Sequence, residues 1–160
     1  MNIYIIDTSS LIELQRLPRD IFVTLWDDIE NLIQKEILIS TEEVLEELKK
    51  KDDYISQWAK NNKKMFKKLT QEQIIEVKNI LNIFPKLIDI NRETPQADPF
   101  IIALALYEEP QKPIISTNRI IITNEKISRG QIPKIPNICV HFNIKCIDLF
   151  DFFREMKWKY

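Results

Sequence analysis

Glycine is almost absent from this chain of 160 residues, which has a single one at Gly130. P-loop and dinucleotide-binding proteins cradle phosphates in loops that need several glycines, so the sequence disfavours both classes. A serine hydrolase built on a glycine-flanked nucleophile is disfavoured as well, because the only histidine, His141, lies in an apolar C-terminal segment. Any chemistry must therefore depend on carboxylates.

Cysteine is nearly as scarce, with Cys139 and Cys146 alone. Two cysteines are too few for a disulfide framework. With only His141 nearby, a four-ligand zinc site is also disfavoured. We expect both thiols to be buried.

Long apolar runs and a strong net charge are missing too. The longest runs, such as residues 100–106, fall far short of the ~18 residues that a membrane span needs, and the N-terminus lacks the pattern of a secretory leader. The net charge of −1 means that any basic surface for nucleic acid must be local. We expect residues 1–160 to form a single domain in the cytoplasm, with no membrane partner.

The first twelve residues, MNIYIIDTSSLI, organise the rest of the chain. Residues 3–6 are β-branched or aromatic without polar alternation, which is typical of a strand buried on both faces of a parallel sheet. Asp7 ends this run, and Thr8, Ser9 and Ser10 are good capping residues for a following helix. Ligands of open α/β sheets bind at the carboxyl ends of the strands, so Asp7 is well placed for chemistry. The alternative is a turn residue that caps its own loop.

Apolar patterns of helical and strand type alternate along the remaining chain. They predict further helices at residues 21–35, from 41 onward, and at 70–84, 100–107, 137–143 and 149–157. They predict further strands at 36–40, 120–123 and 144–147, and a weaker one at 87–90. A loop is predicted at 132–136. Leu149, Phe150, Phe152 and Phe153 are expected in the core. This order predicts an α/β fold of three layers, a mainly parallel central sheet flanked by helices.

Glu43 and Glu47 are four residues apart in the predicted helix after residue 40 and so share one face. Two glutamates on one face repel each other unless a cation lies between or above them. Either is therefore a candidate ligand. The alternative is a pair of solvated acids in the positive first turn of the helix.

Basic and aromatic residues concentrate at residues 49–51 and 61–68, around Trp58. Lysines in such a zone can contact phosphates without reading a base sequence. A solvated helix face is the more common origin of a charge run, and we favour it here.

Asp98 precedes Pro99 and an apolar helix, which predicts an N-cap aspartate with proline at the first helical position. A helix that follows a strand and a loop also begins at the carboxyl edge of the sheet, beside Asp7. Two similar runs follow at 114–118 and 120–124, of which only the second precedes an acid, Glu125. We expect the second to be the core strand. One sheet edge then collects four acids, Asp7, Glu47, Asp98 and Glu125.

The order and spacing of these acids resemble the PIN-domain family of metal-dependent ribonucleases, which includes the VapC-like toxins of toxin–antitoxin pairs. The matching segments are IIDTSSLI (5–12), VLEEL (44–48), ADPFIIALA (97–105) and ITNE (122–125). Residues 132–154 look like a bacterial and archaeal PIN-like branch.

This resemblance implies an acidic pocket that holds Mg²⁺ or Mn²⁺ and in which RNA is cleaved. By position, Asp7, Glu47 and Asp98 are its first three acids, with Glu43 as a substitute for Glu47. The fourth departs from the family, because many members have Thr-x-Asp where this chain has Thr123-Asn124-Glu125. The resemblance further implies a homodimer and a cognate antitoxin that blocks the pocket.

Four carboxylates at one sheet edge cannot all ionise freely, so they should bind a hard divalent cation or have raised pKa values. Our hypothesis is that Asp7 and Asp98 anchor the metal and that Glu125 binds it directly or through water. Glu47 would orient or deprotonate the attacking water. Waters beside the ligands would be held by Thr8, Ser9 or Thr123.

Two other interpretations remain open. A weakened metal site would make the chain a catalytically weak or inactive PIN-like module that binds RNA or a protein partner. A phosphatase of the haloacid-dehalogenase type would use Asp7 as nucleophile and need a second aspartate two residues later. Ser9 occupies that position.

Overall fold

A five-stranded parallel sheet forms the centre of the protein, whose computed structural model describes residues 1–107 and 117–160. Its strands are β1 (Asn2–Ile6), β2 (Leu38–Thr41), β3 (Phe66–Lys67), β4 (Asn118–Ile122) and β5 (Cys146–Ile147). The helices are α1 (Thr8–Leu14), α2 (Val23–Gln34), α3 (Glu42–Lys49), α4 (Tyr54–Asn61), α5 (Gln71–Ile83), α6 (Asp98–Leu106), α7 (Ile135–Phe142) and α8 (Leu149–Glu155). Helices flank the sheet, which confirms the predicted α/β class.

The two central strands are buried along most of their length. In β1, Tyr4, Ile5 and Ile6 are buried, and β4 contributes an equally buried row, Ile120, Ile121 and Ile122. The register pairs Tyr4 with Leu38 of β2 on one side and with Ile120 of β4 on the other. Burial on both faces explains why these strands appear in the sequence as apolar runs without alternation.

The strand order β3-β2-β1-β4-β5 creates a switch point beside β1. The chain adds β2 and β3 on one side of β1 and then returns to add β4 and β5 on the other side. In such sheets the crevice at the carboxyl ends of the strands flanking the switch point is the usual place for a ligand. Asp7 follows β1 and Thr123 follows β4, so both lie at this crevice.

Two predicted helix starts are confirmed by their hydrogen bonds. At α5, the Gln73 backbone N donates to Thr70 Oγ1 over 3.2 Å and the Thr70 backbone N donates to Gln73 Oε1 over 2.9 Å, a complete capping box. At α8, the Asp151 backbone N donates to the Asp148 carboxylate over 2.9 Å. Helix α5 ends before Pro85, as expected from the missing N–H of proline.

The predicted strand at 87–90 is wrong. Pro85–Leu87 form a 3₁₀ turn, and the remaining strand of the sheet is Phe66–Lys67, inside the basic segment 61–68. A strand of two residues is too short to show a periodicity, and its one buried side chain, Phe66, is hidden in the sequence among lysines.

Asp98 is not an N-cap. Ala97 takes that position and has helical dihedral angles, so α6 starts one residue earlier than predicted and Asp98 lies in its first turn without a side-chain capping bond. The predicted loop at 132–136 is also too long, because α7 begins at Ile135. Pro136 is tolerated there since the first turn of a helix has no use for its N–H.

Phe150 is half exposed and outside the core, whereas Leu149, Phe152 and Phe153 are buried. Residues three and four apart share a helix face, which places Leu149 with Phe152 and Phe153 and turns Phe150 outward. Cys139 is buried, but Cys146 is only partly so.

The first of the two similar runs, 114–118, lies largely outside the described residues. In the part of the chain that the structure describes, no helix has the length and apolar character of a membrane span.

Candidate active site

A cavity of about 840 Å³ opens at the switch point of the sheet. All four predicted acids line it, namely Asp7, Glu47, Asp98 and Glu125, together with Thr8 and Ser9. Glu43, one turn before Glu47, does not belong to the lining. Burial raises the pKa of Glu43. Glu47 is the glutamate of α3 that lines the cavity.

Asp7 lies at the bottom of the cavity and is 3% exposed. Its carboxylate caps α1 by accepting from the Ser10 backbone N over 2.8 Å, and it also accepts from the hydroxyls of Ser9 and Thr123. Burial raises the pKa of Asp7 to about 6, although these hydrogen bonds favour the ionised form. Asp7 is thus a capping residue and a cavity residue at the same time.

Glu47 is fastened by both of its oxygens. Thr8 Oγ1 donates to Oε2 over 2.5 Å, and the Ala97 backbone N donates to Oε1 over 2.6 Å. These bonds join α3 to the start of α1 and to the start of α6. The carboxylate therefore has a fixed orientation, and each oxygen keeps a lone pair for a further ligand.

Asp98 has the most strongly perturbed acidity among the four. Burial, as the largest cause, and the negative charges of Glu125, Asp7 and Glu47 together raise its pKa to about 8, against a lowering effect of Lys134. Within residues 1–107 and 117–160, no hydrogen bond ends on its carboxylate. Asp98 is thus a carboxyl surrounded by three others, with both oxygens available to a ligand.

Glu125 reaches the cavity from the segment after β4. Its Oε2 accepts from the Ile135 backbone N over 3.1 Å, at the start of α7, and its own backbone N donates to Thr123 Oγ1 over 3.1 Å. The positive N-terminal end of a helix favours a carboxylate at this place. The glutamate side chain, which is longer than that of an aspartate, thus bridges the segment after β4 and the start of α7 beside Asp98.

The donor set fits a hard divalent cation, because carboxylate oxygens are the ligands that Mg²⁺ and Mn²⁺ prefer. Across the described ranges, however, no three side chains of His, Cys, Asp or Glu are arranged as a ready-made metal cage. The oxygens of Glu47 and Glu125 are held by Thr8, Ala97 and Ile135 instead. Mg²⁺ keeps several waters and usually binds through one or two carboxylates. The residues therefore fit a cation bound by one or two acids and reached by the others through water.

Sequence reasoning missed a group of basic residues on the same cavity. They are Lys86, Arg92 and Lys134, which join Lys50 and Lys51 in its lining. Lys86 and Arg92 are six positions apart, and Lys134 follows forty-two positions later, so no local charge run indicates these three residues. Their only signal in the sequence is proximity to the predicted acidic segments.

Trp58 and the basic segment 61–68 do not border the cavity. Trp58 is buried, packs edge-on against Trp26, and donates its indole N–H to Glu30 over 2.9 Å. Met65 and Phe66 are also in the core. The aromatic residues of this zone therefore serve the fold, and its lysines lie on the outer surface.

The fold and the cavity together define an α/β protein with an acidic cavity at the switch point of a parallel sheet. The chain belongs to the family described as "Domain of unknown function (DUF4411)", whose model matches residues 4–160. No curated protein and no solved structure matches it. The matched range contains all four acids and every described strand except the first two residues of β1.

Proposed function

We propose that this protein is a PIN-like metal-dependent endoribonuclease that hydrolyses RNA phosphodiester bonds. The observation that carries the proposal is that four acids, Asp7, Glu47, Asp98 and Glu125, line one cavity at the carboxyl edge of the sheet. The charges of the other three contribute, with burial, to the raised pKa of Asp98. Negative charge that opposes the ionisation of a neighbouring carboxyl favours a divalent cation beside it.

Asp98 and Asp7 would hold Mg²⁺ or Mn²⁺, with Glu125 bound directly or through water. Such a cation, when bound, supplies positive charge to the phosphate and to the leaving oxygen. The hydroxyls of Ser9 and Thr123 can rotate. Their hydrogen bonds to Asp7 can therefore persist while another lone pair of the Asp7 carboxylate binds the cation.

Glu47 would orient the attacking water or accept its proton. Its two hydrogen bonds to Thr8 and Ala97 hold the carboxylate in one direction, which is the requirement for a positioned base. In the hydrolysis, the water oxygen forms the new bond to phosphorus, the bond from phosphorus to the leaving oxygen breaks, and the proton of the water passes to the base.

The proposal extends to a biological role as the toxin of a toxin–antitoxin pair in the cytoplasm, with a cognate antitoxin and a homodimeric state. This part rests on the sequence resemblance to VapC-like toxins. Induced expression should arrest growth, and an Asp98→Asn variant expressed to the same level should not.

A second candidate is a module that binds RNA or a protein partner without cutting. Its support is the hydrogen bonding of Asp7, whose oxygens already accept from Ser9, Ser10 and Thr123. A carboxylate whose oxygens already accept hydrogen bonds within the protein is stabilised less by a bound cation.

The deciding experiment is cleavage of end-labelled single-stranded RNA by the wild type in millimolar Mn²⁺, in Mg²⁺ and in EDTA. We expect cleavage that needs the cation and is lost in Asp98→Asn. Asp20→Asn, which removes an exposed carboxylate that does not line the cavity, is the matched control and should cut like the wild type. Stable binding of RNA without cleavage under all three conditions would favour the second candidate.

A further inference from the structure

The cavity has a basic side as well as an acidic one. Five cationic side chains line it, from the end of α3, from the segment between α5 and α6, and from the start of α7. We call them the cationic rim: Lys50, Lys51, Lys86, Arg92 and Lys134. All five are exposed, so a ligand in the cavity can reach them.

The cationic rim is not neutralised by ion pairs within the described part of the chain. Among the described residues, no ion pair joins a rim side chain to a carboxylate, although acids line the same cavity, and Lys86 Nζ donates to the neutral Gln131 Oε1 over 3.2 Å. Other lysines do have such partners, as with Lys49 and Glu46 or Lys67 and Glu36.

Lys134 connects the two sides of the cavity. It lines the cavity together with Asp98 and Glu125, and within the described residues its ammonium group forms no ion pair with either acid. Lys134 directly precedes Ile135, whose backbone N–H holds Glu125 over 3.1 Å. A negatively charged group beside Asp98 would therefore lie within the field of Lys134.

The basic segment 61–68 is a poorer place for such a ligand. Lys67 pairs with Glu36, and Lys64 Nζ donates to the Gln34 backbone O over 2.9 Å. None of its residues lines the cavity. Phosphates bound there would lie away from the four acids.

We propose that the cationic rim, and not segment 61–68, binds the phosphates of a polynucleotide on either side of the one presented to the acids. A lysine ammonium or an arginine guanidinium forms charge-assisted hydrogen bonds with phosphate oxygens. Contacts of this kind position a strand without reading its sequence. The inference rests on the proposed function in one respect, because the acids are taken to cut the central phosphate. The binding of the flanking phosphates does not itself require cleavage.

The test compares two double variants that remove the same charge. Lys50→Gln/Lys51→Gln changes the cationic rim, and Lys63→Gln/Lys68→Gln changes exposed lysines of segment 61–68. The binding of a fluorescein-labelled single-stranded oligoribonucleotide is measured by anisotropy in EDTA over a series of salt concentrations.

We expect the rim variant to lose affinity severalfold and the slope of log K against log salt to fall by about 1.4, since each phosphate contact on a single strand contributes about 0.7. The control variant should keep both the affinity and the slope of the wild type. An equal loss in the two variants, or a wild type that binds no oligonucleotide, would overturn the proposal. A combined Lys86→Gln/Arg92→Gln variant provides the same comparison from another segment, should the first variant fail to fold.

The outcomes also separate this proposal from the proposed function. If the oligonucleotide binds through the cationic rim but is never cut in Mn²⁺, the ribonuclease proposal fails and the rim proposal stands. If the wild type cuts RNA and the rim variants retain its KM, the rim proposal fails and the ribonuclease proposal stands.

Discussion

Glu47 accepts a hydrogen bond from the backbone N of Ala97 over 2.6 Å, and Ala97 is the residue directly before Asp98. The other oxygen of the same carboxylate accepts from Thr8, directly after Asp7. One side chain of α3 thus holds the start of α1, beside Asp7, and the start of α6, beside Asp98.

Glu47→Gln should abolish cleavage while leaving the fold intact. The amide keeps an oxygen for the Ala97 N–H, and its nitrogen can donate to the hydroxyl of Thr8, which then acts as acceptor. The base or the water-orienting charge is lost, so we expect the rate of RNA cleavage to fall about 100-fold or more. The measurement is single-turnover cleavage in Mn²⁺ together with the melting temperature.

Glu43→Gln is the matched control for this change, because Glu43 lies on the same helix one turn earlier and does not line the cavity. It should retain cleavage within a factor of about two, a difference well under the 1.4 kcal/mol that a tenfold effect represents. A larger loss in Glu43→Gln than in Glu47→Gln would show that we have chosen the wrong glutamate.

Asp98→Asn should stabilise the metal-free protein at neutral and alkaline pH. The pKa of Asp98 is raised from 3.8 to about 8, so between these values the folded state binds more protons than the unfolded state and its stability falls as the pH rises. Asparagine removes this loss. We expect a gain of at least about 1.4 kcal/mol, the equivalent of one pKa unit, or about 3 °C in melting temperature.

The measurement is thermal unfolding in EDTA over a pH series. The difference between Asp98→Asn and the wild type should grow with pH up to about 8 and then level off. Asp20→Asn is the control and should follow the wild type throughout. A variant that is less stable than the wild type at high pH would mean that the Asp98 carboxylate is not opposed by its neighbours.

Millimolar Mn²⁺ should raise the melting temperature of the wild type. A ligand that binds only the folded state stabilises it, by about 2.7 kcal/mol at a hundred times its dissociation constant. The gain should disappear in Asp98→Asn, which has lost the acid with two available oxygens, and persist in Glu43→Gln. An unchanged gain in Asp98→Asn would place the bound ion elsewhere.

The sequence was sufficient for the core of the fold, since the apolar runs of β1 and β4 and the capping residues of α5 and α8 each produce a strong local pattern. It was insufficient where structure depends on distant partners. Phe66–Lys67 is a strand only because it lies beside Ser40 and Thr41 of β2. Ala97, and not Asp98, occupies the N-cap position of α6, and its N–H is bound by Glu47, fifty positions away in the chain.

The candidate site shows the same contrast between features that a local pattern predicts and features that depend on distant residues. Asp7, Asp98 and Glu125 could be chosen because each follows a strand or opens a helix, and that placement can be read locally. Glu47 was chosen from its helical spacing to Glu43 and from the family resemblance. Of the cationic rim, only Lys50 and Lys51 lie in a basic run that the sequence shows, because Lys86, Arg92 and Lys134 join them only through the packing of separate segments. Nor could the sequence reveal that the backbone N–H groups of Ala97 and Ile135 bind Glu47 and Glu125, because every residue except proline has such a group.

Thr123→Val should destabilise the protein at neutral pH and less so in acid. Thr123 Oγ1 donates to the Asp7 carboxylate, and this bond lowers a pKa that burial raises to about 6. Above that pH the variant leaves a buried charge without one of its donors, so we expect a loss of about 1.5–3 kcal/mol. Below it Asp7 is protonated in the folded state, and the charge-dependent part of the loss is absent.

Urea unfolding at a pH well below and a pH well above about 6 measures this difference. The bond from the Glu125 backbone N to Thr123 Oγ1 is also lost in the variant, which adds a part that does not depend on pH. Repeating the substitution in an Asp7→Asn background separates the pH-dependent part of the stability loss from the pH-independent part, because only the latter should remain there. If the loss depends equally on pH in both backgrounds, the hydroxyl of Thr123 acts through a group other than Asp7.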